Sequence, residues 1–242
     1  MSHSMATSTD RRVAIVTGAS QGIGAGIVAA YRQLGWAVVA NARTMKPSED
    51  ESVLIVEGDI SEAATVDRIM SNALERFGRV DSLVNNAGIF LTKPFTDYSD
   101  EDYFSLVGVN LTGFFRMTQR AIGEMLRHGN GHVVNITTTL VEYARSDTPS
   151  VLVSLTKGGL AAATRSLAIE YASRGIRVNA VSPGVIQTPV HDPQSYAQAA
   201  ATHPLKRVGD VSDVVDGVLF LEMSPFITGE TLHIDGGRIA GC

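Results

Sequence analysis

The stretch Thr17-Gly18-Ala19-Ser20-Gln21-Gly22-Ile23-Gly24 follows a β-branched run, Val13–Thr17, and leads directly into a helix-patterned segment, Ile23–Leu34. Glycines permit a tight turn and a close approach of the backbone to a pyrophosphate, and the first turn of a helix offers free N–H groups. The order strand, glycine loop, helix therefore predicts a dinucleotide-binding loop. The predicted contacts are Gly18, Ser20, Gln21, Gly22, Ile23 and Gly24.

Short β-branched runs alternate with helix-patterned segments along the whole chain. This alternation is typical of a parallel sheet that is covered on both faces. The predicted strands are Val13–Thr17, Ala37–Ala40, Val53–Val56, Ser82–Asn85, His132–Ile136, Arg177–Val181 and Thr231–Ile234. The predicted helices are Ile23–Leu34, Ala63–Phe77, Leu111–Leu126, Leu155–Ala172 and Val211–Met223.

No linker or repeat divides the chain, so we predict one doubly wound Rossmann domain of the α/β class over residues 12–242. Residues 1–11 are expected to form a flexible tail. The polar connection Arg43–Ser52 contains Pro47 and has room only for a turn or a stub of helix. We expect this short connection to join the second and third strands.

Composition excludes several classes of function. The 242 residues are 44% hydrophobic and 19% charged, which is typical of a globular domain. A net charge of −5 argues against a nucleic-acid partner, because phosphate binding requires clustered positive charge. No apolar run approaches a membrane span, and a lone cysteine, Cys242, fits a reducing compartment. We therefore expect a cytoplasmic protein with no membrane partner, and no metal site is predicted.

The sequence Asn41-Ala42-Arg43 stands where an acidic residue would hold the ribose hydroxyls of NAD. Arg43 can instead pair with a 2′-phosphate through a charge-assisted fork, and Lys46 is a second candidate for this contact. This substitution favours NADP(H) over NAD(H) as cofactor. The alternative is that Arg43 is only a solvated surface charge.

Together with several further motifs, these residues resemble the short-chain dehydrogenase/reductase family from about Arg12 to Gly237. The glycine loop is similar to the family's TGxxxGxG motif. The other similar stretches are Gly58-Asp59-Ile60, Asn85-Asn86-Ala87-Gly88, Val109-Asn110-Leu111-Thr112-Gly113, Pro183-Gly184-Val185-Ile186-Gln187-Thr188 and Ile234-Asp235-Gly236-Gly237. The resemblance implies a seven-stranded parallel sheet, a homo-oligomer (tetramer or dimer) and a carbonyl or alcohol substrate. It also implies cofactor contacts from Asp59, Ile60, Asn86, Ala87, Gly88, Pro183, Gly184, Ile186 and Thr188.

The resemblance further implies a catalytic serine, tyrosine and lysine with a supporting asparagine, and here the chain departs from the pattern. Asn110 and Lys157 match, and Thr138 keeps a hydroxyl at the serine position. Val153 stands four residues before Lys157, where the family has its tyrosine, and valine cannot donate a proton. Lys157 is also expected to hold the nicotinamide ribose.

Several groups are candidate replacements for the missing phenol. Tyr143 lies in the loop after Thr138, and His191 lies in the segment 189–206 that is expected to cover the substrate. Thr138 itself, or a water held by Lys157 and Asn110, is a third possibility. That covering segment has no arginine or lysine before position 206, which predicts a substrate that is not strongly anionic.

We predict an NADP(H)-dependent oxidoreductase that acts on a carbonyl or alcohol with an atypical proton donor. The first alternative is a non-catalytic dinucleotide-binding protein, either a sensor or a structural subunit. The second is an isomerisation or elimination assisted by the bound nicotinamide. Val153 is the residue that keeps these alternatives open.

Overall fold

The structure is a computed structural model that describes residues 11–189, 194 and 196–241. The predicted tail, apart from Arg11, and the candidate acid His191 lie outside these residues. No helix in the described part of the chain is long and apolar enough to cross a membrane. Within the same residues, no group of three or more His, Cys, Asp or Glu side chains could hold a metal ion.

Seven parallel strands form one sheet in the order β3-β2-β1-β4-β5-β6-β7. The strands are β1 (Val13–Thr17), β2 (Ala37–Ala42), β3 (Val53–Glu57), β4 (Ser82–Asn85), β5 (Gly131–Ile136), β6 (Ile176–Pro183) and β7 (Thr231–Ile234). The predicted doubly wound sheet is confirmed. Every residue of β1, β2, β4 and β5 is buried, because helices cover both faces. This burial explains the continuous apolar runs in the sequence.

Helices pack on both faces of the sheet. They are α1 (Gly22–Gln33), α2 (Ala63–Phe77), α3 (Asp100–Leu106), α4 (Phe114–His128), α5 (Val151–Tyr171), α6 (Tyr196–Ala201) and α7 (Val211–Met223). Alternate residues of β1 face opposite cores. Val13 and Ile15 pack with residues of α2, α4 and α5, whereas Ala14 and Val16 pack with residues of α1 and α7.

The region between β4 and α4 differs from the prediction. Helix α3 begins after a capping box in which Ser99 and Asp102 exchange hydrogen bonds, a short signal that the sequence prediction omits. A π-helical segment, Val107–Gly113, then precedes α4, which therefore begins at Phe114 rather than at Leu111. The connection between β2 and β3 contains no helix, as predicted.

A buried polar network lies at the amino ends of the central strands. One carboxylate oxygen of Glu222 in α7 accepts hydrogen bonds from Tyr31 Oη at 2.7 Å, Ser82 Oγ at 2.9 Å and His132 Nδ1 at 3.0 Å. Arg177 donates to the carbonyls of Leu221 and Glu222 at the end of the same helix. We call this set the Glu222 network; it joins α1, β4, β5, β6 and α7 at the edge of the sheet formed by the amino ends of the strands.

Candidate active site

A cleft of about 560 Å³ opens at the carboxyl ends of β1 to β4. The chain leaves β1 and β4 toward opposite halves of the sheet, and doubly wound sheets bind ligands at such a point. Thirteen of the predicted cofactor contacts line the cleft: Gly18, Ser20, Gln21, Gly22, Ile23, Gly24, Arg43, Asp59, Ile60, Asn86, Ala87, Gly88 and Thr188.

The glycine loop packs so closely against neighbouring main chain that it has no room for side chains. A Cβ atom on Gly24 would lie 2.2 Å from the Gly18 carbonyl oxygen. Gly18 has a φ of 65°, in the left-handed region that favours glycine. The N-terminus of α1 follows this loop and can present its free N–H groups to a pyrophosphate.

Thr17 and Asn86 hold the glycine loop against the end of β4. The Thr17 hydroxyl oxygen accepts hydrogen bonds from the main-chain N–H groups of Asn86 and Ala87, each at 3.1 Å. Asn86 Nδ2 donates to the carbonyls of Thr17 and Gly18, each at 3.0 Å. The side-chain amide of Asn86 therefore supports the loop. The sequence prediction omits Thr17, although it begins the motif.

The end of the cleft between β2 and β3 is polar. Asn41 Nδ2 donates to the Val56 carbonyl at 2.8 Å and so holds the ends of β2 and β3 together. Arg43 is exposed at the rim of the cleft, and Lys46 does not line it. Asp59 accepts from the Ser61 main chain at 2.8 Å and from its hydroxyl at 2.7 Å. Asn41 and Ser61 line the cleft but are absent from the predicted set.

The segment after β6 reaches the cleft only at its last residue. A Cβ atom on Gly22 would lie 3.2 Å from Thr188 Cγ2, so Thr188 closes over the glycine loop. Pro183 ends β6, Gly184 lines a second cavity on the other side of this segment, and Ile186 is buried in the core. The assignment of these three residues to the cofactor stays a prediction.

Lys157 and Asn110 converge beside Gly88, which lines the cleft, although neither of the two side chains is among the lining residues, so the contact of Lys157 with the cofactor stays a prediction. A Cβ atom on Gly88 would lie 3.0 Å from Lys157 Nζ and 3.3 Å from Asn110 Oδ1. Lys157 Nζ donates to the Ile136 carbonyl at 2.7 Å. Burial lowers the pKa of Lys157 to about 8, because a buried ammonium loses its hydration.

The π-helical segment sets the orientation of Asn110. Its Oδ1 accepts from the Ile89 N–H at 2.8 Å, and its Nδ2 donates to the Ile89 carbonyl at 3.1 Å and to Thr156 Oγ1 at 3.0 Å. Asn110 therefore holds the chain just after Gly88 and connects it to α5. Such π-helical insertions are frequent at functional sites.

The side chain four residues before Lys157 lies in an apolar environment. Val153 is 1% exposed and packs in a cluster with Leu106 and Leu152. The neighbouring Ser154 hydroxyl donates to the Leu140 carbonyl at 2.9 Å, so it is engaged with the loop after β5. Shifting the register by one residue therefore does not provide a phenol or a free hydroxyl.

Two other predicted residues lie in the loop after β5. The Thr138 hydroxyl accepts from the Leu140 N–H at 3.3 Å and is half-buried, two residues beyond the carbonyl that Lys157 contacts. Tyr143 is half-buried, and its main-chain N–H donates to the Thr139 carbonyl at 2.8 Å. Thr138 thus shares a strand end with the lysine contact.

Residues 18–238 match a family model described as enoyl-(acyl carrier protein) reductase, and full-length relatives include dehydrogenases and reductases. This chain belongs to the short-chain dehydrogenase/reductase family. A glucose 1-dehydrogenase of Gluconobacter oxydans is 34% identical over 245 residues, covering 92% of this chain and 90% of that relative. A 3-oxoacyl-[acyl-carrier-protein] reductase of Synechocystis is 33% identical over 246 residues, covering 96% and 99%.

Solved structures of family members share the fold. ElxO with NADP bound superimposes with a TM-score of 0.89 at 28% identity, covering 96% of this chain and all (100%) of that chain. A 3-ketoacyl-(acyl-carrier-protein) reductase from Brucella melitensis, complexed with NADH, gives a TM-score of 0.85 at 31% identity, covering 94% and 98%. As a member of the short-chain dehydrogenase/reductase family, this chain is an oxidoreductase that uses a nicotinamide cofactor.

Proposed function

We propose that this oxidoreductase reduces a carbonyl group with NADPH, and that the Lys157 ammonium provides the proton that a tyrosine provides elsewhere in the family. The observation that supports this proposal is the placement of two side chains on α5. Lys157 Nζ lies beside Gly88, which lines the cleft, while Val153 lies in an apolar cluster. In this proposal Val153 occupies the position of the missing tyrosine.

The cleft would hold the cofactor through the glycine loop, Asp59 and Thr188, with Arg43 facing the 2′-phosphate. In the bound state the cofactor supplies the hydride. Arg43 supports NADPH over NADH because a guanidinium pairs strongly with phosphate. The ElxO structure contains NADP, whereas the Brucella reductase structure contains NADH, so this preference rests on Arg43.

The buried position of Lys157 suits it to donate a proton. Its hydrogen bond to the Ile136 carbonyl uses one of the three ammonium protons, so the others can face the substrate oxygen or an intervening water. With a pKa of about 8, the lysine is mostly protonated at neutral pH and releases its proton more readily than an exposed lysine. The Thr138 hydroxyl, at the same strand end, would hydrogen-bond the substrate oxygen.

The atoms of the step balance. With a hydride supplied to the carbonyl carbon by the bound cofactor, Lys157 Nζ would give the carbonyl oxygen its proton, so that C=O would become CH–OH. Solvent then returns a proton to the neutral lysine. Asn110 keeps the chain after Gly88 in position through its two bonds to Ile89. Tyr143 and His191 remain the competing proton donors.

The test is a screen of NADPH oxidation against aldehydes, ketones and quinones, with five variants. We expect Lys157→Met to remove turnover, and Tyr143→Phe and His191→Ala to retain it. Val153→Tyr should raise the rate if the position is that of the missing phenol, whereas Val153→Phe, which has the ring without the hydroxyl, should not. The two variants at position 153 thus separate proton donation from the effect of filling the apolar cluster.

Three outcomes would contradict the proposal. Full activity in Lys157→Met would exclude the lysine as proton donor, and loss of activity in Tyr143→Phe or His191→Ala would identify another group. Tight NADPH binding without turnover of any compound would support the non-catalytic alternative instead. Because loss of a general acid costs about 10²–10⁴ in rate, the screen must detect slow turnover.

We also propose that the chain forms a homo-oligomer, a dimer or a tetramer. Large apolar side chains on the outer surfaces of α4 and α5 support this, with Phe115 at 59% and Ile169 at 82% exposure. Exposed apolar patches commonly mark protein interfaces. Sedimentation velocity of the wild type and of Ile169→Asp tests the proposal: a smaller species in the variant supports it, and a wild-type monomer refutes it.

A further inference from the structure

We propose that His203 is a positioning residue. In its neutral form it links helix α6 to the segment Pro183–Thr188, and this link fixes the position of helix α6, on the substrate side of the site, relative to the cofactor cleft. Residues 196–206, helix α6 and the turn after it, are called the α6 unit below. The assignment of the α6 unit to the substrate side of the site rests on the proposed carbonyl reduction. The contacts themselves are independent of that reaction.

Both ring nitrogens of His203 have main-chain partners. Nδ1 donates to the Ala199 carbonyl at 2.8 Å, within the α6 unit, and Nε2 accepts from the Val185 N–H at 3.2 Å. This pattern requires the neutral tautomer with its hydrogen on Nδ1. The side chain is 2% exposed, so solvent does not compete for either bond.

The Val185 N–H belongs to a segment in which three other main-chain groups bond main chain. Gly184 N donates to the Ile234 carbonyl at 3.0 Å, Val185 O accepts from Gly209 N at 2.9 Å, and Gln187 N donates to the Gly209 carbonyl at 2.8 Å. At Val185 N the acceptor is a side chain from the α6 unit. His203 therefore provides the acceptor for Val185 N, while main-chain groups of Ile234 and Gly209 bond the neighbouring positions of the segment.

A second contact ties the other end of α6 to the same segment. Tyr196 Oη donates to the Thr188 carbonyl at 3.1 Å, and Thr188 in turn packs against Gly22 of the glycine loop. The α6 unit is thus attached to Pro183–Thr188 at two points. A displacement of the α6 unit is therefore coupled to the residue that closes the cofactor cleft.

The fold leaves a fitted space for the imidazole. A Cβ atom on Gly184 would lie 2.7 Å from His203 Nε2, and one on Gly236 would lie 3.5 Å from His203 Cβ. At the first of these positions a side chain would displace the ring. The absence of side chains at both positions supports a built contact between the α6 unit and the sheet.

Protonation would break the link. The groups that face His203 are the Ala199 carbonyl, Arg238 and Asp235 from the chain after β7, and Arg145 from the loop after β5. Burial lowers the pKa of His203. The Ala199 carbonyl and Asp235 raise this pKa, whereas the positive charges of Arg238 and Arg145 lower it further. The ring is therefore neutral at neutral pH. A proton added at Nε2 would oppose one N–H to another and remove the bond to Val185.

The test compares wild type with His203→Gln, His203→Ala and Tyr196→Phe, with exposed His128→Gln as matched control. Amide hydrogen exchange over residues 181–189, corrected for the intrinsic pH dependence, reports the contact directly. We expect wild type and His128→Gln to lose protection as pH falls below the histidine range. His203→Gln keeps an acceptor that does not titrate, so its protection should not depend on pH, and His203→Ala should be unprotected throughout.

The second readout is KM and kcat of the same variants, measured with the substrate that the screen identifies. Loss of the bond should raise KM about 3- to 10-fold, the equilibrium weight of one hydrogen bond, with a smaller change in kcat. This rise should occur at acid pH in wild type, at all pH values in His203→Ala and, independently of pH, in Tyr196→Phe.

Two results would overturn the inference: protection at Val185 that is the same in wild type and His203→Ala, or an acid rise in KM that persists in His203→Gln. If His203→Ala does not fold, the comparison of wild type with His203→Gln still tests whether the pH dependence arises from His203. If no substrate is turned over, the proposed reductase activity fails while hydrogen exchange still decides the role of His203.

Discussion

Replacing Glu222 by glutamine should lower the stability of the domain by about 3 kcal/mol, because the substitution removes a charge that accepts three hydrogen bonds. The bonds from Tyr31, Ser82 and His132 are 2.7, 2.9 and 3.0 Å long and end on the same oxygen. A hydrogen bond to a charged group contributes about 1 kcal/mol more than a neutral one, so the three together account for the loss. Removing the buried negative charge of Glu222 also saves its desolvation cost. This gain is offset because the Arg177 guanidinium loses the negative charge that compensates its own.

Thermal unfolding at neutral pH measures this loss. For a domain of this size 1 kcal/mol corresponds to about 2–4 °C, so Tm should fall by about 6–12 °C. The control is Glu75→Gln, an exposed glutamate on α2, which should change stability by less than about 0.5 kcal/mol. A change in Glu222→Gln no larger than in the control would refute the assignment of the network as a major source of stability.

The dependence on pH provides a further check. Burial alone would raise the pKa of Glu222, but the bonds from His132, Tyr31 and Ser82 outweigh it and leave the pKa below its ordinary value of 4.5. A carboxyl group with a lowered pKa stabilises the fold above its unfolded pKa, and this contribution is lost as pH falls through the folded pKa. The difference between wild type and variant should therefore be constant above pH 4.5 and shrink below it.

Three further predictions concern the cofactor cleft and the reaction. Gly24→Ala should abolish cofactor binding in calorimetry, because its Cβ would lie 2.2 Å from a carbonyl oxygen, whereas Gly123→Ala, with nothing within 4 Å, should bind normally. Arg43→Ala should weaken NADPH binding about 10- to 100-fold and leave NADH binding unchanged, with Lys46→Ala as control; equal loss for both cofactors would contradict a 2′-phosphate contact. The reduction rate should fall as pH rises through about 8, where Lys157 loses its proton, and the reverse oxidation should rise; rates without this transition would exclude Lys157 as the titrating group.

The fold was predictable because its strands are buried on both faces. Such strands read as apolar runs, as in Val13–Thr17, and the helices between them keep a helical period. The start of α4 was not predictable from that period, because the preceding π-helical turn at Val107–Gly113 does not follow it. Helix α3 has few apolar residues, and only its capping box at Ser99 indicates it.

The gathering of the predicted cofactor residues at one cleft was predictable for a similar reason, since the carboxyl ends of parallel strands meet at one edge. Gly18, Arg43 and Asn86 come together by that rule alone. The direction of individual side chains was not predictable. Ser154 bonds the Leu140 carbonyl, and His203 bonds Val185, because of packing between elements that are far apart in the chain.

The order of the strands also determines when each edge of the sheet can be completed during synthesis. Strand β1 is central and pairs with β2 on one side and β4 on the other. Val13 pairs with Ala37, but the Val13 N–H bonds a carboxylate 68 positions later, at Asp81. A nascent chain that has released only the first three strands therefore exposes one full edge of its central, fully buried strand. Until β4 is synthesised, that unpaired edge can pair with strands of other chains, which is a route to aggregation during folding.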